Sequence, residues 1–368
     1  MEDFDFVIPL IDEKLTDAID RKMIDVSYCN QSPSQKMDIY FPNAKSDKPY
    51  PVIVYFHGGA FMKGTKRDDA LEPMLRATSR GYVVVSVDYR LSGEARFPAM
   101  VYDGKTVIRY LRAHAAELGI DSERIAVWGP SSGGWLASFI AVTAYNPAFE
   151  DKSMGYGEYS SEVNAVIDWC GPTANFLKMD EELKASGAGL PDHSEAISPE
   201  SRFLGAQITS VPELCRLSAA TTYVNRHVPP FCIFHGEIDQ VVPVEQSIEL
   251  AETIRKIAGD DRVELHVEKG KLHHGHPWYH EKWVSDACID FLDKVFSEKY
   301  MKENGHRGPH GPHGHGHHGM HGHNGHPHGH HEGEERIAGE NTCDGCGRRC
   351  SLSEPHCEVG VQKAKKND

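Results

Sequence analysis

The stretch Val127-Trp128-Gly129-Pro130-Ser131-Ser132-Gly133-Gly134 holds a G-x-S-x-G motif between two apolar segments of different character. Upstream, Arg124 to Trp128 reads as a short buried strand. Downstream, Trp135, Leu136, Phe139, Ile140 and Val142 recur at helical spacing with no proline among them. The motif alone is common enough that context must decide, and this context sets Ser131 in a sharp strand-to-helix turn. Small residues on either side of such a turn let neighbouring backbone approach without a Cβ clash, and the serine hydroxyl is left pointing into a cleft.

A serine hydroxyl needs a base to take its proton and an acid to orient the base, and in a strand-turn-helix setting the chain order is Ser, then Asp or Glu, then His. Pro230 to Phe234 reads as a second buried strand. It runs into His235-Gly236-Glu237-Ile238-Asp239-Gln240-Val241-Val242-Pro243, so Asp239 stands at the strand's carboxyl end as the candidate acid. A further strand, Val263 to Val267, precedes Lys271-Leu272-His273-His274-Gly275-His276-Pro277, and one of its three histidines is the candidate base. Pro51 to Phe56 ends in His57-Gly58-Gly59-Ala60-Phe61. Glycines there free backbone N–H groups for an oxyanion, and the Ser132 N–H adds another donor. Gly59 is the firmest donor from this loop, with Gly58 and Ala60 competing for the other place.

These segments resemble the α/β-hydrolase superfamily, and within it the esterases related to hormone-sensitive lipase and the bifunctional feruloyl/acetyl-xylan esterases. Supporting stretches are Lys36 to Pro42, His57 to Phe61, Asp88-Tyr89-Arg90-Leu91 with Phe97-Pro98-Ala99, Asp121 to Gly134, and Pro229 to Pro243. The resemblance covers residues about 23 to 298. It implies a Ser131, Asp239, His274 triad, because the family's His-Gly step matches His274-Gly275, and an oxyanion hole drawn from Gly58, Gly59, Ala60 and Ser132. Pro130 and Ser132 depart from the acidic residue and the alanine usual in these esterases, but neither removes a donor that the chemistry needs. The implied activity is hydrolysis of small carboxylic esters through an acyl-enzyme, with no cofactor. Two alternatives are an arylformamidase or amidase-type hydrolase, whose pattern usually has tryptophan where Phe61 stands, and a metal-handling protein that works through its tail.

The expected architecture is an α/β-hydrolase fold over residues 1–300, a mostly parallel sheet with helices on both faces. Residues 24 to 42 read as a β-hairpin, and strands near 51–56, 82–87, 124–128, 164–170, 230–234 and 263–267 follow. Residues 172–228 interrupt the alternation and suit a cap-like insertion, where Phe176, Leu177, Phe203, Leu204 and Tyr223 either line a substrate pocket or anchor the insertion. His57 and His235 are expected to brace their loops. Asp88 and Arg90 are expected to pair, and Asp103 and Arg109 to lie on a helix's polar face.

The formal charge of −15 falls almost wholly in the first 300 residues and argues against nucleic acid or an anionic membrane surface as a partner. With no basic leader or long apolar run in view, a cytoplasmic protein is expected. Cys29, Cys170, Cys215, Cys232 and Cys288 are scattered singly, as reduced core thiols would be. An oligomer is possible.

The composition changes after residue 300. Between His306 and His331, twelve of 26 residues are histidine, interleaved mostly with glycine and proline, so 301–342 reads as a disordered linker able to bind Ni²⁺, Zn²⁺ or Cu²⁺. In the 343–368 segment, Cys343, Cys346, Cys350 and Cys357 are close enough to hold one metal centre, zinc or an iron–sulfur cluster.

Overall fold

The computed structural model describes residues 7–273 and 277–304. Eight strands form one sheet: β1 (Lys22–Ser27), β2 (Lys36–Tyr40), β3 (Tyr50–Phe56), β4 (Val83–Val87), β5 (Ile120–Pro130), β6 (Ala165–Trp169), β7 (Phe231–Gly236) and β8 (Val263–Glu268), in the order β1-β2-β4-β3-β5-β6-β7-β8. The pairs β1/β2 and β2/β4 are antiparallel, and every pair from β4 onward is parallel. A parallel sheet is covered on both faces, which requires its strands to be largely apolar and any polar side chain on them to be hydrogen-bonded. Val83 to Val87 and Ala165 to Trp169 are accordingly buried at every position. At the far edge β8 is only partly covered, and its burial is mixed.

The expected hairpin is present as β1 and β2. Strand β5 is longer than the apolar run suggested, because Ile120 pairs with Tyr50 before an irregularity in register, after which Ile125 to Trp128 continue along β3. Two groups of buried residues lie on the two faces of the sheet. One holds Val54, Phe56, Val85 and Val127 with the helices Ala99–Ala113 and Ser132–Val142, and the other holds Ile53, Tyr55, Val84 and Trp128 with the helix Lys282–Val295.

The insertion between β6 and β7 is helical, with Met179–Ser186, Pro199–Leu204 and Pro212–Ser218 as its α-helices. Its aromatic residues anchor it. Phe176 and Phe203 are fully buried, Phe203 stacks on Phe61 with ring centroids 4.2 Å apart, and Tyr223 meets Phe139 edge-on. The Trp135 indole N–H donates to the Ser218 carbonyl at 2.8 Å, tying the insertion to the helix that starts at Ser132.

The buried charges pair differently from the expectation. Asp88 accepts from the Lys66 ammonium at 2.8 Å, and Arg90 instead forks onto Asp103. Asp103 and Arg109 are fully buried rather than on a polar face, and Arg109 binds Glu150, 41 residues along the chain. Each is a charge taken out of water, so each needs the partner it has.

A further buried pair fastens the insertion to the loop that carries Asp239. His193 Nδ1 lies 3.1 Å from Glu200, a charge contact rather than an aligned hydrogen bond, and His193 Nε2 donates to the Val241 carbonyl at 2.9 Å. Burial would push the imidazole down, but the Glu200 carboxylate outweighs it and the pKa is raised to about 9. A group raised in the folded state contributes stability that is fully present below its unfolded pKa of about 6.5 and is lost as pH rises through the folded value. We therefore expect the wild type to exceed His193→Ala in urea stability by on the order of 2 kcal/mol more at pH 6 than at pH 10. An identical difference at the two pH values would refute the charged pair.

Candidate active site

The carboxyl ends of the parallel strands bring the sequence motifs to one rim of the sheet, where ligands bind in open α/β sheets. Strand β5 ends at Pro130, and Ser131 follows with φ 52° and ψ −123°, a conformation that L-residues rarely take and that costs about 1–3 kcal/mol. Two backbone bonds hold it there. The Ser131 N–H donates to the Trp169 carbonyl at 2.7 Å, and its own carbonyl accepts from the Trp135 N–H at 2.9 Å. Close packing beneath the turn explains its small residues. A Cβ on Gly133 would run into the carbonyl oxygens of Phe56 and His57, and one on Gly129 into the backbone of Gly133. Ser131 and Ser132 are buried, and the helix Ser132–Val142 directs its N-terminal amides and the positive end of its dipole toward the serine.

The candidate oxyanion loop follows β3. Gly59, Ala60 and Phe61 all have positive φ, at 119°, 55° and 61°, and the Met62 and Lys63 N–H groups close the turn onto the Gly59 carbonyl. A side chain at Gly59 would collide with the Lys63 carbonyl, so glycine is required there on two counts. Among the described residues the Gly59 and Ala60 amides donate to no other backbone group. His57 braces this loop. Burial keeps its pKa below the ordinary imidazole value, its Nδ1–H donates to the Gly58 carbonyl at 2.7 Å, and its ring stacks on Tyr89, whose hydroxyl donates to the His57 carbonyl at 2.6 Å.

Asp239 lies three residues past β7 and is 1% exposed. One carboxylate oxygen accepts the Val241 and Val242 N–H groups at 2.8 and 2.9 Å, and the other accepts His273 Nδ1 at 2.6 Å and lies 3.2 Å from His235 Nε2. Burial alone would raise this carboxyl, but the His273 and His235 imidazoles overcome it and hold the pKa far below the usual range. His273 responds in the opposite sense. Burial opposes its charge, and the Asp239 carboxylate lifts it well above 6.5. His235 braces the acid loop, with Nε2 on the Val242 carbonyl at 2.8 Å and Nδ1 on the Ser247 hydroxyl at 2.7 Å.

Among the described residues the histidine after β8 that meets Asp239 is His273, next to the His274 that the resemblance implied. His274 lies outside the described residues, as do the His306 to His331 tract and Cys343, Cys346, Cys350 and Cys357. Sequence reasoning also missed Cys170, a buried thiol at φ 48° directly after β6, beside His273 and the Tyr279 hydroxyl. Its position at the carboxyl end of a parallel strand was the available signal. Cys170 follows Trp169, whose carbonyl holds the Ser131 N–H, and its thiol lies within 4.8 Å of His273 and Asp239 ligand atoms.

A mostly parallel eight-stranded sheet with a serine at a strained strand-to-helix turn and an Asp-His pair at later strand ends defines an α/β-hydrolase. A family model, BD-FAE, matches residues 37–254, more than half of the chain, and the chain belongs to that family. The match takes in the oxyanion loop, Ser131 and Asp239, and stops short of His273. Esterase LipC of Mycobacterium tuberculosis is 30% identical over 227 residues, which cover 61% of this chain and 53% of LipC. Among solved structures, a carbohydrate esterase from gut microbiota superposes with a TM-score of 0.66 at 27% identity, over 76% of this chain and 97% of that one. Thermogutta terrifontis esterase 2 phosphonylated by sarin gives 0.60 at 25% identity, over 76% and 96%. The chain spans about half the length of LipC and of a second M. tuberculosis relative, the probable carboxylic ester hydrolase LipM. Among the described residues no helix is long and apolar enough to cross a membrane.

Proposed function

We propose that this protein is a serine hydrolase of small carboxylic esters in which Ser131 is the nucleophile, His273 the general base and Asp239 its orienting acid. The observation that carries the reading is the strained Ser131 turn, pinned to Trp169, on the same sheet rim as a buried imidazole-carboxylate pair. His273 takes the hydroxyl proton as Ser131 Oγ bonds to the ester carbonyl carbon. The developing oxyanion is met by the amides of Gly59 and Ser132, with Ala60 beside them and Gly58 holding the turn, and each such donor contributes about 3 kcal/mol. The protonated imidazole then gives its proton to the departing alkoxide, and a water activated by the same imidazole frees the acid. Asp239 stabilises the imidazolium throughout and stays ionised. None of these steps requires a cofactor. Support for an ester substrate comes from the names of the relatives, and a neighbour that sarin phosphonylates has the kind of nucleophile proposed for Ser131.

The His306 to His331 tract and the four tail cysteines are proposed as a separate metal-binding module, of zinc, nickel or an iron–sulfur centre, because imidazole and closely spaced thiolates are the ligands these metals take. The five described cysteines are all free, which supports a reducing compartment such as the cytoplasm. Assay of a p-nitrophenyl ester chain-length series on the full chain and on residues 1–300, with metal quantified in both, tests the two proposals together. Short esters should be cleaved by both forms, and bound metal should fall in the truncated one. Failure of the full chain on every ester would overturn the hydrolase reading, and unchanged metal content after truncation would overturn the module.

A further inference from the structure

The proposed hydrolytic mechanism leaves the buried thiol of Cys170, at the end of β6, without a task. Cys170 Sγ, a ring nitrogen of His273 and a carboxylate oxygen of Asp239 all lie within 4.8 Å of one another, and all three residues are buried. We propose that these three side chains form an inhibitory capture site for a thiophilic divalent cation, zinc or cadmium, which stops hydrolysis by occupying the imidazole. The binding site itself stands on the cluster, and only its effect on hydrolysis rests on the triad reading.

The donor set is the argument. Thiolate, imidazole and carboxylate are the three side-chain ligands zinc accepts, at about 2.3 Å for sulfur and 2.0–2.2 Å for nitrogen and oxygen, so tetrahedral coordination sets ligands about 3.3–3.8 Å apart. The cluster brackets that spacing, from 2.6 Å between Asp239 and His273 Nδ1 to at most 4.8 Å across the group, so the imidazole must draw off the carboxylate for a cation to enter. Two of the three ligands are already fixed. Cys170 is held by its N–H on the Phe234 carbonyl at 2.9 Å, and Asp239 by the Val241 and Val242 amides. The strand end beneath Cys170 is fixed by Asp168, which accepts the Ser138 hydroxyl at 2.5 Å and the Gly171 N–H at 2.8 Å. His273 stands in an irregular segment after β8, where a small adjustment is inexpensive. Three protein ligands leave the fourth position to water. On binding, the metal displaces the thiol proton and the proton shared by Asp239 and His273, and both protons leave to solvent.

The test uses the full chain with free zinc fixed by a metal buffer, so that the histidine and cysteine tail cannot deplete it. Ester hydrolysis is followed for wild type, Cys170→Ala and Cys170→Ser, each relative to its own zinc-free rate, and bound zinc is counted by equilibrium dialysis. Wild type should be inhibited reversibly at micromolar zinc. Both variants should need at least about tenfold more zinc for the same inhibition, since even outer-shell changes cost 10–100-fold in metal affinity, and should bind one equivalent less. Inhibition equal in wild type and both variants, or an unchanged zinc count, overturns the site. If no form hydrolyses esters the triad reading fails, while the dialysis count still decides whether the site exists.

Discussion

Ser131→Ala is expected to lower hydrolysis of p-nitrophenyl acetate by about 10⁴-fold or more while leaving the fold unchanged. The size follows from the chemistry. Without Oγ no acyl-enzyme forms, and what remains is the contribution of the oxyanion donors and of binding, which act on an attacking water that nothing positions. The fold is spared because everything that holds residue 131 in its rare conformation is main chain, the N–H on Trp169 and the carbonyl under Trp135, and alanine keeps both. Thermal unfolding and circular dichroism should match wild type, and burst labelling by an organophosphate should vanish. Retained turnover in a folded variant would refute the nucleophile.

His273→Ala should cost as much, about 10⁴-fold or more, because nucleophile and base act as a unit and removing either leaves the same residue of activity. It also strips the buried Asp239 carboxylate of its principal cation, so a loss of stability should accompany the loss of rate. His274→Ala is the informative companion, with activity close to wild type. Reversed results would put the base on His274 and make His273 its neighbour. The pH profile adds a check that a structural role would not produce. Because Asp239 holds the His273 pKa well above 6.5, the free base is lost as pH falls through that raised value, and kcat/KM should climb on the alkaline side of neutrality. In Asp239→Asn the carboxylate's pull is gone and burial dominates, so the residual activity should have its limb moved toward acid.

Much of this site was open to sequence reasoning for a physical reason. Strands buried on both faces must be largely apolar along their length, so β3 to β7 stood out as runs, and the loops at their carboxyl ends identified Gly59, Ser131 and Asp239. The β8 loop offered no such guide. Residues 271 to 276 carry three histidines with neither helical nor strand periodicity, so spacing could not choose which of them meets Asp239. The buried ion pairs were hidden for a related reason. Asp88 meets Lys66 and Arg109 meets Glu150 because the fold brings distant segments together, while local spacing suggested only the neighbours Asp88 with Arg90. Cys170 resembled a core thiol because its apolar surroundings describe β6, and its nearness to His273 exists only once β6, β7 and β8 lie side by side.

The bond from the Trp135 indole to the Ser218 carbonyl bears on how such proteins diversify. Trp135 lies one helical turn beyond the nucleophile and also meets Phe61 and Phe203, so the turn that carries the chemistry and the insertion that sits beside it share a hinge pin. Transplanting an insertion from another esterase, or recombining the two segments in a library, then joins halves that were shaped for different partners. A graft would have to bring its own carbonyl to the indole and its own ring to Phe61. Novelty in substrate choice is accordingly reached more readily by point changes within the resident insertion than by exchange of the whole piece.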